Sequence, residues 1–345
     1  MPHVEVHNAT PLAHESLALA DEDGVPQFVT LVQATYGIAD DGALGLLEEQ
    51  PPPNLGGQWY GDPANTSLRL EPQMAFMKPS TDVVLLGHAH AAAPGATEVI
   101  VGIRVGAVSK LARVVGDRFM AKRSVAVHVS RPRPFDTIPL VYERAFGGWD
   151  RRDADSLRHR GELRNPVGVG FRASTSAEDD ELALPNIESQ DDPFLAYGQV
   201  PAPVGFGFIA PHWHPRAQFA GTYDAAWSAE RKPLLPTDFD RRFFNAASPG
   251  LVTPAHLRGD EPVVVIGANR SGRLAFRLPG IAPPECIVML RGRNRVPLDA
   301  RLDTVIVDMD QQRLTLMWRA HVPVRNGPHD VLAVHVHSGP GERVS

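Results

Sequence analysis

The sequence predicts a mainly β protein: antiparallel sheets in a sandwich- or barrel-like framework, with a long Gly/Pro-rich central insertion carrying short helices. Three observations predict it. Toward both ends, short runs alternate with period two, as where Val99, Val101, Ile103 and Val105 interleave with Ile100, Gly102 and Arg104. Turn signals such as Gly24-Val25-Pro26, Asp40-Asp41-Gly42 and Ser271-Gly272 punctuate those runs. From about Arg131 to Pro262, prolines and glycines recur every few residues and periodicity fades. The chain therefore reads as one β-rich domain over 1–345, with 131–262 as an irregular insertion within it.

In order, Gln27–Tyr36 is rich in β-branched and aromatic residues and reads as a strand, turned back by Asp40-Asp41-Gly42 toward Ala43–Glu48. Pro51-Pro52-Pro53 starts a loop past Trp59-Tyr60, and Asp82–Ala89 reads as a short buried strand. Leu111–Val115 and Ser124–Val129, around Gly116-Asp117, suggest a hairpin or its longer-looped relative. In the insertion, Thr222–Arg231 is helix material. Thr237 reads as the N-cap of a second helix ending near Ala247, with Asp240 in the capping-box position. The acidic run Ser176–Glu181 reads as a solvated loop. Strands return at Pro262–Gly267, Leu274–Leu278, Leu302–Val307, Leu314–Trp318 and Val331–His337, the third and fourth forming a hairpin.

Composition narrows the function classes. The 30 glycines and 32 prolines among 345 residues exceed the roughly 12% of average usage, while 43% hydrophobic residues argue for ordered loops rather than disorder. A net charge of −6 without a basic run lacks the footprint of a nucleic-acid partner. The single cysteine, Cys286, permits neither an intramolecular disulfide nor a Cys-rich metal site. Met1-Pro2-His3-Val4 does not open like a secretory signal, and no apolar run reaches membrane-spanning length. These features predict a soluble, cytoplasmic protein with neither a nucleic-acid nor a membrane partner.

The stretch Pro139–Trp149, resumed at Asn165–Phe171, mixes paired glycines, aromatics and an adjacent Glu-Arg. Gly147-Gly148 permits close backbone approach, and Asn165-Pro166 enters a tight turn. It reads as a packed, irregular corner. Three His-x-His pairs, His88/His90, His212/His214 and His335/His337, would each share a strand face, but no third ligand has metal-site spacing. Asp238 and Asp240 are explained by capping more simply than by acid–base chemistry. Gly205-Phe206-Gly207 lacks the Lys-Ser/Thr of a phosphate loop, and no Gly-x-Ser-x-Gly elbow occurs. No catalytic residue, cofactor or metal is assigned.

The ordered motifs carry a resemblance. Tyr142-Glu143-Arg144-Ala145-Phe146-Gly147-Gly148, Asn165-Pro166-Val167-Gly168-x-Gly170-Phe171 and Leu184-Pro185-Asn186-Ile187-Glu188 are followed by Pro203-Val204-Gly205-Phe206-Gly207, Trp213-x-Pro215-Arg216 and Ala220-Gly221-Thr222-Tyr223-Asp224. Leu235-Pro236-x-Asp238-Phe239-Asp240 completes the series. Outlying matches are Gln33-Ala34-Thr35-Tyr36, Lys78-Pro79-x-Thr81-Asp82-Val83, Gly116-Asp117-Arg118 and Leu302-Asp303-Thr304-Val305, ending near Trp318-Arg319. Together they resemble a bacterial family catalogued as a domain of unknown function and associated with type VI secretion. Two positions depart from it: Gln33 stands where lysine is expected, and Phe208 where proline is expected.

The resemblance implies an effector adaptor or chaperone that binds a secreted effector and helps load it onto the spike protein or a PAAR-like tip protein. Exposed apolar area or an unpaired strand edge could hold such cargo. Aromatic residues commonly anchor interfaces, so Trp149, Trp213, Tyr223, Trp227, Phe243 and Phe244 are the candidate contacts, with core packing as the competing explanation for each. Glu143, Arg144, Gly147, Gly148, Asn165, Arg216 and Asp224 are expected to fix the loops. The alternatives are a hydrolase or other enzyme assembled in the glycine-rich region, and a structural module of the secretion apparatus.

Overall fold

A computed structural model describes residues 4–123, 126–173, 181–292, 295–324 and 326–339. Its largest sheet has six strands. Pro26–Ile38 lies between Ala13–Ala20 and Arg313–Pro323, followed by Arg301–Asp308 and Asp82–Leu86, while Leu44–Leu46 pairs with the end of Pro26–Ile38. Pro26–Ile38 is buried along nearly its whole length, as its β-branched and aromatic composition favours. A five-stranded sheet joins Ile187–Glu188, Val108–Val115, Glu98–Val105, Pro262–Ile266 and Arg273–Arg277. A four-stranded sheet joins Glu5–Asn8, Val331–His337, Glu285–Leu290 and Arg295–Leu298. Strands from both ends of the chain pair within each of these sheets.

The fold is mainly β, with mostly antiparallel pairing and no sheet closed into a barrel among the described residues. The three large sheets turn their apolar faces into a common core. Val83 and Leu85 meet there with Val101, Ile103 and Val265, and with Val288, Val334 and Val336. Among the described strands, the exceptions to antiparallel pairing are Glu5–Asn8 beside Val331–His337, Asp82–Leu86 beside Arg301–Asp308, and the short pair Phe146–Gly147 beside Val169–Gly170. Parallel neighbours cannot share a tight turn, so the rest of the fold must connect them. Among the described residues, no helix is long and apolar enough to cross a membrane.

Four local expectations are corrected. Asp82–Ala89 is broken at Gly87, whose φ of 136° no ordinary side chain adopts readily; His88–His90 leaves to pair with Thr137–Pro139. Leu111–Val115 pairs back onto Glu98–Gly102 within a longer hairpin turned at Gly106, while Phe119–Arg123 takes Ala126–Val129. The central segment does not merely lie across the sheets: Ile187–Glu188 and Leu182–Ala183 add strands to them. The second helix is a 3₁₀ turn over Arg241–Phe244 capped by Asp240, not Thr237. It stops because Asn245 is extended and delivers Asn245, Ala246 and Ala247 to the carboxylate of Asp82.

The α-helix among the described residues is Ala225–Glu230, within the stretch read as helical, with Asp224 as N-cap. The run Ser176–Asp180 lies outside the described residues; Glu181 is exposed.

Leu316 is fully buried in the central strand Arg313–Pro323. Leu316→Ala should lower unfolding stability by about 2–5 kcal/mol, whereas Leu111→Ala, at a position 52% exposed, should change it by less than about 0.5 kcal/mol. Urea midpoints of the two variants against wild type check this.

Candidate functional site

Motifs far apart in sequence converge on a buried ionic spine at the start of Asp82–Leu86. Asp82 is fully buried, and its Oδ2 accepts from Lys78 Nζ at 2.8 Å and from the Ala246 amide at 3.0 Å. Its Oδ1 accepts from Asn245 Nδ2 at 3.0 Å and the Ala247 amide at 3.2 Å. Lys78 Nζ also donates to Thr304 Oγ1 at 3.0 Å, and Thr304 donates to Asp303 Oδ1 at 2.9 Å. Asp303 Oδ2 then receives Arg319 Nε at 2.5 Å. Arg319 spends its remaining donors on the carbonyls of Gln73 and Ala75 and on Gln73 Oε1. Two cations face two carboxylates, so the charges of this spine are matched.

Beside the spine, buried Glu71 takes both terminal nitrogens of Arg216, at 2.6 and 3.0 Å. Arg216 Nε donates to the Phe243 carbonyl at 2.8 Å and Nη1 to that of Ile209 at 3.0 Å. Gln33 is buried and donates to the Pro51 carbonyl at 2.8 Å, a neutral bond where the resemblance leads one to expect a charged residue.

The central corner is held by side-chain hydrogen bonds. Glu143 sits in the 3₁₀ turn Tyr142–Arg144 and accepts from the Ser67 amide at 2.7 Å and its hydroxyl at 2.6 Å. Arg144 Nη1 donates to Asp117 at 3.2 Å and to Asn186 Oδ1 at 3.1 Å. Asn165, fully buried, donates through Nδ2 to the carbonyls of Tyr142 and Phe146 at 2.8 and 2.9 Å. Gly147 and Gly148 have φ of 151° and 93°, and a Cβ there would lie 2.1 Å from the Asn165 carbonyl oxygen and 2.3 Å from that of Gly168. No other residue fits both positions.

The aromatic candidates separate. Trp213 is 1% exposed and packs edge-on against Tyr142 at 5.6 Å. It is a core residue, because the turn at Pro215-Arg216 faces inward to reach Glu71, and its reading as a partner contact is corrected. Trp149 is 40% exposed on the short ribbon it forms with Arg160–Gly161. Tyr223 is 52% exposed and meets Trp227 edge-on at 4.7 Å. Asp224 accepts the Trp227 amide at 2.8 Å as helix cap.

Phe243 and Phe244 are half-buried and pack with Phe239 at 5.7 and 5.4 Å. Guanidinium groups stack on this run: Arg216 lies 5.0 Å from the Phe243 ring and Arg242 4.4 Å from that of Phe219. Residues 219–244 thus present an aromatic–arginine ridge at the surface, over the buried pair of Glu71 and Arg216.

Several of the remaining chemical candidates are engaged by neighbours. Asp238 accepts from the Thr222 amide and hydroxyl, and Asp240 from Arg242, which together hold both carboxyls below their usual range. His88 pairs with Asp310 at 2.9 Å, His212 accepts from Trp213 Nε1 at 3.0 Å, and His335 stacks on His7 at 4.6 Å. Among the described residues, no three His, Cys, Asp or Glu side chains gather as a metal site.

Lys110 and Ser248 were not singled out by the sequence. Lys110 Nζ donates to Ser248 Oγ at 2.6 Å and to the Pro249 carbonyl at 2.9 Å, and burial without an acidic partner pushes the ammonium from 10.5 down to about 8. Ser248 is fully buried, so this nucleophile–base geometry does not meet a substrate from solution. Nothing in the local sequence around either residue signals the pair.

Layered β-sheets braced by interior ion pairs, with motif glycines packed against backbone carbonyls, define a β-rich protein in which these motif residues hold the architecture. The chain belongs to the bacterial family described as an uncharacterized protein conserved in bacteria, DUF2169, whose model matches residues 23–319. No curated protein and no solved structure matches it.

Two outcomes test these contacts. Asp82→Leu leaves Lys78 buried without its partner and should cost about 3–5 kcal/mol, with only part of the loss restored in Asp82→Leu/Lys78→Met because Asn245 Nδ2 and the Ala246 and Ala247 amides still lack their acceptor; denaturant titration of both variants checks it. For Lys110, the unfolded chain binds the proton more tightly than the folded one between pH 8 and 10.5. Stability of wild type relative to Lys110→Met should therefore rise as pH rises through that window. A difference that stays flat from pH 7 to 10.5 contradicts the burial argument.

Proposed function

We propose that this protein is a cytoplasmic adaptor-chaperone that binds a secreted effector and helps load it onto the spike or a PAAR-like tip of a type VI secretion system. The observation that carries the binding role is the ridge over 219–244, where half-exposed Phe239, Phe243 and Phe244 pack together, Arg216 and Arg242 stack on Phe243 and Phe219, and exposed Tyr223 meets Trp227. Aromatic and arginine side chains dominate the energetics of protein interfaces because they bury large areas at small entropic cost. The secretion context is supported by the motif resemblance alone. An adaptor of this kind acts stoichiometrically, stabilising folded cargo by mass action.

Varying the ratio of adaptor to a neighbouring effector in co-expression should raise soluble effector in proportion, up to roughly one adaptor per cargo. Tyr223→Ala and Phe243→Ala should each weaken co-purification by about tenfold or more, while His335→Ala should not. Effector solubility indifferent to the adaptor, or rescued by trace amounts, defeats the proposal.

A further inference from the structure

A groove of about 450 Å³, lined by none of the ridge residues 219–244, collects three arginines, Arg118, Arg133 and Arg144. Its position follows from the motifs. A Cβ on Gly116 would lie 1.8 Å from the Arg133 carbonyl oxygen, and the Arg133 amide donates to the Asp117 carbonyl at 3.0 Å. Glycine at 116 thus lets the Arg133 segment close down on the Gly116-Asp117-Arg118 turn. Arg144 enters from the 3₁₀ turn Tyr142–Arg144 on the opposite side.

The groove has more donors than it uses. Arg133 is exposed and has no side-chain partner among the described residues. Arg144 bonds only through Nη1, to Asp117 and Asn186, leaving Nε and Nη2 open. Arg118 is 8% exposed; both its bonds leave from Nη2, to Glu188 and the Pro185 carbonyl, and its buried Nε has no partner. The two carboxylates that line the groove are engaged: Glu143 by Ser67, and Asp117 by Arg144 and Asn186. Phe119 and Leu184 add an apolar wall.

We infer that this groove binds a carboxylate of a partner polypeptide, with Arg133 and Arg144 as its ligands and Arg118 at its base. Guanidinium groups present paired N–H donors whose spacing matches a planar carboxylate. Asp117 and Glu143 leave little net positive charge, which suits a monoanion and penalises a phosphate dianion. The apolar wall accommodates the methylenes of a glutamate or the last side chain of a chain terminus. The inference rests on the adaptor reading for the kind of partner, and uses a different surface from the aromatic ridge.

The test is a titration of the full chain at low ionic strength, following arginine Nε–H resonances by NMR. The probes are N-acetylglutamate α-amide for a side-chain carboxylate, N-acetylglycylglycine for a free C-terminus, N-acetylglutamine amide as neutral control, and inorganic phosphate. One or both carboxylates should give saturable shifts at Arg133 and Arg144, and the stronger of the two identifies the source. The glutamine probe should give none. Arg133→Lys keeps the charge but not the fork, and should weaken the carboxylate by about tenfold; Arg133 supports no other side chain, so the variant stays folded.

Absence of saturable shifts with either carboxylate, phosphate binding as strong as carboxylate, or an Arg133→Lys variant that binds like wild type overturns the inference. Carboxylate binding without effector co-purification would defeat the adaptor reading alone. Co-purification unaffected by Arg133→Lys, with no carboxylate shift, would defeat the groove alone.

Discussion

The interaction on which the rest of the structure depends is the carboxylate of Asp82, fully buried and satisfied by four donors. A carboxylate cannot be taken from water at acceptable cost unless its lone pairs are filled and its charge is matched. Lys78 supplies the charge, but three of the four donors come from Asn245, Ala246 and Ala247, deep in the central segment. The ion pair therefore requires the Gly/Pro-rich middle of the chain to arrive at one point on the sheet. Once it does, Leu251 and Phe206 carbonyls complete the edge of Asp82–Leu86 by accepting from Val83 and Leu85. A sheet edge that would otherwise expose unpaired backbone is closed by the same segment.

The network also explains why the parallel pair holds its register. Thr304 lies opposite Asp82, and its hydroxyl accepts from Lys78 while donating to Asp303. A slip of one residue would turn Thr304 away and present Asp303 to the wrong face, leaving Lys78 and Arg319 without partners. Apolar neighbours such as Val83, Val305 and Leu316 tolerate many registers; a chain of four charges with directional hydrogen bonds tolerates one. A shifted register would leave these buried groups without their bonds, so the network penalises it.

Much of the framework was legible because it depends on local pattern. Pro26–Ile38 and Val331–His337 announce themselves by β-branched residues and alternation, and the hairpin over 301–323 by its polar turn. Ala13–Ala20 did not: its alanines, histidine and serine carry little β signal, and it is a strand because an eight-residue ladder with Pro26–Ile38 fixes it. Gly87 splits one apparent strand into two through a backbone angle that no periodicity encodes. At the site, Lys78, Asp82, Asp303 and Arg216 lay inside motifs, and Lys78 and Asp82 are four residues apart, but Asn245 for Asp82, Thr304 for Lys78 and Glu71 for Arg216 are far away in sequence. Trp213 shows the limit from the other side, since residue type predicts an anchor equally well in a core and at an interface.

Arg216 connects this interior to the surface. Its terminal nitrogens are committed to Glu71, its Nε holds the Phe243 carbonyl, and its plane lies 5.0 Å from the Phe243 ring. Phe243 is thereby fixed at backbone and ring by a side chain that is itself immobilised by a buried ion pair. Phe244 is braced in the same way from beneath, edge-on to buried Phe76 at 5.4 Å. An aromatic ridge held like this loses little freedom when covered, so more of its apolar area appears as affinity. The buried Glu71–Arg216 pair and half-buried Phe243 are thus one mechanical unit: charge inside the fold sets the position of that ring at its surface.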